Sequence, residues 1–182
     1  SRTQGINNSG QVVGESTTAG GDYHAFLYDG TTMNDLGTLG GTESYAFGIN
    51  DSGQVVGRSR IDGDSTMYAF LYDGTEMFSL GHLGGGWSEA FGINNSGQIV
   101  GYSGPGDGGH HAFLYNDEGM LDLNNLIAPG SGWKLHCAYD INSSGQIIGV
   151  GWIDEANRAF LLTPILVSVE ISGPDEVAGG LS

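Results

Sequence analysis

Gly48-Ile49-Asn50-Asp51-Ser52-Gly53-Gln54-Val55-Val56-Gly57 reads as two short strands folded back on each other. Ile49 and the Val55-Val56 pair put β-branched residues on both sides of a turn. Asn50, Asp51 and Ser52 can bond the local backbone, and Gly53 can take the left-handed conformation that closes a hairpin. The stretch recurs. Gly-Ile-Asn begins at Gly5, Gly48 and Gly92, and Asp140-Ile141-Asn142 stands in the fourth place, at spacings of 43, 44 and 48 residues. A second marker, Ala-Phe-Leu, begins at Ala25, Ala69, Ala112 and Ala159, spaced 44, 43 and 47. Two markers in step define four tandem repeats.

Working outward, each repeat continues through a variable polar loop into Tyr68-Ala69-Phe70-Leu71-Tyr72, a second turn at Asp73-Gly74, and a segment ending Leu80-Gly81-His82-Leu83-Gly84-Gly85. This predicts four short antiparallel strands per repeat and essentially no helix, since no stretch has a capped 3.6-residue apolar period. Four strands in about 44 residues match one blade of a β-propeller. The expected fold is all-β: a propeller of four blades over residues 1–164. An open β-solenoid and an incomplete propeller are the alternatives. In residues 165–182, Val167, Val169 and Ile171 alternate with polar residues. That segment either supplies the closing strand of blade four or begins a truncated second domain.

Composition narrows the function classes. Glycine occupies 34 of 182 positions, placed by rule at turns, after the Val-Val pairs and in the Leu-Gly-Gly linkers. Five Lys and Arg against 21 Asp and Glu give a net charge of −16. Such a chain repels a phosphate backbone, so no nucleic-acid partner is expected. No apolar run is long enough to span a bilayer. The chain begins Ser1-Arg2-Thr3-Gln4, with neither an initiator Met nor a signal segment, and so reads as a processed or excised piece of something longer. The lone Cys137 permits no intrachain disulfide, and its strand position predicts an inert thiol.

His24-Ala25-Phe26 and His111-Ala112-Phe113, with Gly-Ile-Asn, Ser-Gly-Gln-Val-Val-Gly and Leu36-Gly37-Thr38-Leu39-Gly40-Gly41, resemble the bacterial extracellular HAF repeat over roughly residues 3–163. Repeat three departs from it at the Leu123 to Pro129 linker, and Tyr68 and Arg158 replace the histidine in repeats two and four. The resemblance implies a secreted or cell-surface β-rich protein and carries no catalytic motif.

By repeat symmetry the loops between second and third strands, at 15–23, 58–67, 102–110 and 151–157, share one face, and loops on a rigid scaffold are where binding concentrates. Their acidic residues, with Asp62, Asp64 and Asp107 as the metal candidates, suggest Ca²⁺ as a cofactor, because a hard cation wants several oxygens. Solvated surface charge is the competing reading. The ligand-binding candidates are His24, Tyr68, His111, Trp133, Trp152 and Arg158. His24 and His111 hold equivalent positions that symmetry could bring face to face across an axis; filling half-buried strand positions is the alternative. Trp133 and Trp152 offer flat faces on which sugar rings stack, or pack between blades.

These features predict a non-enzymatic extracellular binding or adhesion module whose partner is a glycan or a surface protein. A lyase-like polysaccharide-degrading enzyme using His and Tyr, and a structural block of a surface assembly, are the alternatives.

Overall fold

A computed structural model describes residues 1–63, 66–106 and 108–164. Sheet one contains β1 (Arg2–Ile6), β2 (Val12–Thr17), β3 (Tyr23–Tyr28) and β4 (Met33–Asp35). Sheet two contains β5 (Gly40–Ile49), β6 (Val55–Ile61), β7 (Met67–Tyr72) and β8 (Met77–Ser79). Sheet three contains β9 (Ser88–Ile93), β10 (Ile99–Ser103), β11 (His111–Asn116) and β12 (Gly119–Asp122). Sheet four contains β13 (Lys134–Ile141), β14 (Ile147–Ile153) and β15 (Ala156–Leu162). Every sheet is antiparallel, with neighbours in chain order. Among the described residues the one helical turn, Leu123–Asn125, lies in the divergent linker of repeat three. This is a β-propeller arrangement, as the repeats predict. Among the described residues sheet four has three strands, and the segment 165–171 lies outside them.

The Asn-x-Ser-Gly strings fold as expected. In the turn at Asn50, the Asn50 carboxamide oxygen accepts from the backbone N–H of Ser52 and Gln54, and Gly53 closes the turn at φ 79°. The second strands run further than their composition indicates. Ser16, Ser59 and Ser103 still pair with His24, Tyr68 and His111, so Glu15, Arg58 and Tyr102 are strand residues rather than loop residues. The ladder continues because each of these serines bonds backbone or lies across from a third-strand partner, which a polar-residue rule cannot foresee.

Each first strand carries a bulge that leaves Gln4, Phe47, Phe91 or Tyr139 without a cross-strand partner. The bulge pushes a carbonyl onto the following second strand. At Gly57 any Cβ would overlap the Tyr45 carbonyl oxygen, which explains the glycine after each Val-Val pair.

The first strand of each later sheet packs across the sheet before it: β5 on sheet one, β9 on sheet two, β13 on sheet three. Three apolar joints result. Val13 and Ala25 meet Ala46, Val55 and Phe70. Val56 and Ala69 meet Ala90, Ile99 and Phe113. Val100 and Ala112 meet Leu135, Ala138, Ile147 and Phe160. Hydroxyls pin the linkers across the first two joints: Ser44 and Ser88 accept from the N–H of Ala25 and Ala69. In the third, Asn124 does this work, accepting from Leu135 N–H at 2.7 Å and donating to the Leu135 carbonyl at 3.0 Å. Among the described residues, sheet four makes no joint with sheet one like these three. Among the described residues the four sheets stand as an arc of three joints around one hollow that all four first strands line.

Candidate functional site

The first strands of all four sheets face one central cleft of about 340 Å³, lined by Phe47, Phe91, Ile93, Tyr139 and their neighbours. A roomier hollow of about 630 Å³ lies apart, an open shelf between the turns at Gly97 and Gly119 that gathers no charge pair. The chemistry collects instead at the loop end of the cleft.

Two tiers of positions supply it. The residue before the small column of the first strand is Arg2, Tyr45, Glu89 or Cys137. The residue after each Val-Val-Gly, or its counterpart, is Glu15, Arg58, Tyr102 or Val150. The strands pair these across each sheet: Arg2 with Glu15, Tyr45 with Arg58, Glu89 with Tyr102, Cys137 with Val150.

Between sheets two and three, Arg58 Nη1 lies 2.6 Å from Glu89 Oε1. The side chains keep 31% and 15% of their exposure, so water screens this pair less than a surface pair. The Arg58 guanidinium also sits 4.9 Å above the Tyr45 ring, a cation–π contact. Aromatic rings continue the site on both sides. Tyr23 stacks near Tyr45 at 6.1 Å, and Phe47 meets Phe91 at 5.4 Å. Phe91 stacks on Tyr102 at 5.5 Å and reaches Tyr139 at 6.1 Å. Trp87 stands edge-on to Tyr102 at 5.3 Å and to His110 at 4.8 Å. The band therefore runs from sheet one to sheet four. The bulge explains how Phe47, Phe91 and Tyr139 join it: an unpaired strand residue is free to aim inward.

Burial sets the protonation states. Desolvation, reinforced by the Glu89 carboxylate, pushes the Tyr102 phenol up, and desolvation does the same to Tyr139 and Tyr45. Burial pushes the Cys137 thiol up to about 12. These groups are protonated at neutral pH and serve as hydrogen-bond donors rather than bases or nucleophiles. Glu15 Oε2 and Arg58 Nε are buried and have no hydrogen-bond partner among the described residues.

The six ligand candidates read from the sequence do not gather here. His24 bonds Asp35 at 2.9 Å and His111 bonds Asp122 at 2.6 Å, each within its own sheet and on a third strand outside the cleft. Tyr68 lies beside the His82 ring. Trp133 packs edge-on to Phe160 in the third joint. Trp152 is exposed beside His136, and Arg158 is exposed opposite Gly151. Asp62 is exposed, and Asp64 and Asp107 lie outside the described residues. Among the described residues no three His, Cys, Asp or Glu side chains converge as a metal would need. Arg58, Glu89, Phe47, Phe91 and Tyr139 escaped the sequence reading. The available signal was positional: their tiers change identity where the flanking columns repeat.

No family model matches the sequence, and no curated protein does. Among solved structures the chain is similar to one described as a putative TolB from Agrobacterium tumefaciens, with a TM-score of 0.64 at 15% identity. The match covers 90% of this chain and 61% of that one, so this chain spans less than two thirds of its neighbour's length. At that identity the likeness speaks to the fold alone. Among the described residues no helix is long and apolar enough to cross a membrane.

Proposed function

We propose that this chain is an extracellular, non-enzymatic binding module that holds a glycan at the loop end of its central cleft. One observation carries the reading: the tiers that vary from repeat to repeat are the ones that bring an ion pair and a band of aromatic rings to one place. Phe91 and Trp87 offer rings to the C–H side of a sugar, and Tyr102, stacked against both Phe91 and His110, backs them. Arg58 and Glu89, whose side chains keep part of their exposure, offer hydrogen bonds to its hydroxyls. Burial of the Cys137 thiol argues against a thiolate nucleophile at this end of the cleft. The net charge of −16 favours neutral over acidic glycans. The resemblance to HAF repeats supports an extracellular or surface setting. A glycan array probed with the whole chain tests the reading. Retention of a neutral glycan, weakened on the order of 10-fold or more in Trp87→Ala, is expected. No retained glycan, or retention indifferent to Trp87, contradicts it.

A further inference from the structure

The three joints of the arc are built from the same positions, and among the described residues both halves of that joint are uncovered at its ends. On the leaving side, Val13, Val56 and Val100, with Ala25, Ala69 and Ala112, are all 0% exposed. The same positions on sheet four are Ile148, 48% exposed, and Ala159, also exposed; two residues further on, Leu161 is 61% exposed where Leu27, Leu71 and Leu114 are half-buried in the joints. On the receiving side, Ile49 is half-buried and Ile93 and Ile141 are 8% and 5% exposed, whereas their counterpart on sheet one, Ile6, is 70% exposed; on the opposite edge strand of that sheet Met33 is 51% exposed, where its counterparts Met77 and Met120 pack into their joints. Isolated apolar residues at a surface are ordinary, but a patch that reproduces a joint already made three times is not.

The hydrogen bonds stop at the same places. The side-chain amides of Asn7, Asn50 and Asn94 donate to the next sheet's Asn50, Asn94 and Asn142 carbonyls at 3.0, 3.2 and 3.1 Å. Among the described residues, the Asn142 side chain bonds only within its own turn, its amide donating to Gln146 at 2.8 Å. Gly48 and Gly92 press on the next first strand so closely that a Cβ would come within 2.6 and 2.9 Å of it. Asp140 holds that position on sheet four, exposed. Gln4 stands on sheet one where the other first strands place Phe47, Phe91 and Tyr139. A carboxylate on the leaving face thus corresponds to an amide donor on the receiving face.

We propose that the leaving face of sheet four docks on the receiving face of sheet one in a second copy of this chain, head to tail, repeating the internal joint. One chain carries both halves, so a copy is a sufficient partner, and Asp140 and Gln4 add a polar contact the internal joints lack. The contact is heterologous: two copies close a ring if the rotation allows, and more copies extend it otherwise. Because each chain carries −16, added salt strengthens the association by screening repulsion across an apolar joint. This inference stands apart from the glycan reading.

Sedimentation of the whole chain over a wide concentration range tests it, alone and in two variants at exposed positions, Ile148→Glu on sheet four and Met33→Glu on sheet one. The expected wild-type mass rises above the single-chain 19.0 kDa with concentration and rises further with salt. Each variant alone associates on the order of 100-fold more weakly. An equimolar mixture of the two regains a two-chain species through its one intact joint. A wild type that keeps the single-chain mass throughout overturns the proposal. So does a Met33→Glu variant that associates as strongly as wild type, which is the behaviour of a face pairing with itself, and so does a mixture no heavier than its parts.

Discussion

At the turn end of the sheets the four repeats are nearly one sequence; at the loop end they are four different ones. Asn7, Asn50, Asn94 and Asn142 each fold the same turn and bond the same glutamine, and the first three reach across to the next sheet. The equivalent loop-end positions hold Arg2, Tyr45, Glu89 and Cys137. The joints need identical geometry, so their residues repeat. A site in the cleft needs several kinds of chemistry converging, so its residues differ. Within a repeat protein, repetition therefore marks what holds the arc together and divergence marks what it can recognise.

Several substitutions probe that division, beginning with the most severe. Phe70 is 0% exposed in the first joint. Phe70→Ala is expected to cost about 3–5 kcal/mol in thermal or denaturant unfolding, through lost burial and the cavity left behind. A cost below 1 kcal/mol would mean the joint is not the core it appears in outline. Tyr102→Phe in the divergent tier removes only a hydroxyl and is expected to change stability by less than about 1 kcal/mol.

Within the turn end, the arc's joints and its free end should differ. Asn50→Ala removes bonds inside its turn and the bond to the Asn94 carbonyl; Asn142→Ala removes only bonds inside its turn. The first is expected to be the more destabilising by about 1 kcal/mol, the worth of one cross-sheet hydrogen bond. Equal losses would show that the ladder between sheets carries no stability.

The smallest expected effect is on acid stability. Side-chain and backbone N–H donors from Asn95 and Asn8 hold the exposed Asp51 carboxyl below its ordinary range. A depressed folded-state pKa contributes stability that is full above the unfolded value, near 4, and is lost as pH falls through the folded one. Asp51→Asn should therefore flatten the acid limb of the stability profile while leaving its slope above pH 5 unchanged. An identical acid limb in both proteins would remove Asp51 from the account.

Cys137 gives a chemical test of loop-end burial. With its thiol near 12, alkylation of the native chain at pH 8 should be slower than that of the unfolded chain by a factor on the order of 1000. Rates within a factor of a few would mean the thiol is open to solvent.

The fold was legible because its signals are local and repeated. The Asn-x-Ser-Gly turns, the glycine after Val-Val and the Ala-Phe-Leu strands each encode one corner or strand, and their period gives the sheet count. Arc closure was not legible, because it depends on angles between sheets that no single repeat contains. Only Asp140, in a glycine column, hints at the open end, since a carboxylate fits where no neighbouring strand presses close. The candidate site was half legible. Its loop-end placement followed from symmetry, which puts the loops between second and third strands on one face. The histidines drew attention by residue type, but His24 and His111 are satisfied by Asp35 and Asp122 inside their own sheets. Arg58 and Glu89 became a pair only through packing between sheets two and three, 31 residues apart in sequence.

Calorimetric titration with the best neutral glycan from the array, comparing Arg58→Gln at the loop end with Asn95→Ala at the turn end, tests the division most directly. The account predicts that Arg58→Gln weakens binding on the order of 10-fold or more while Asn95→Ala leaves it unchanged. Binding lost in Asn95→Ala and retained in Arg58→Gln would place recognition on the repeated end and contradict it.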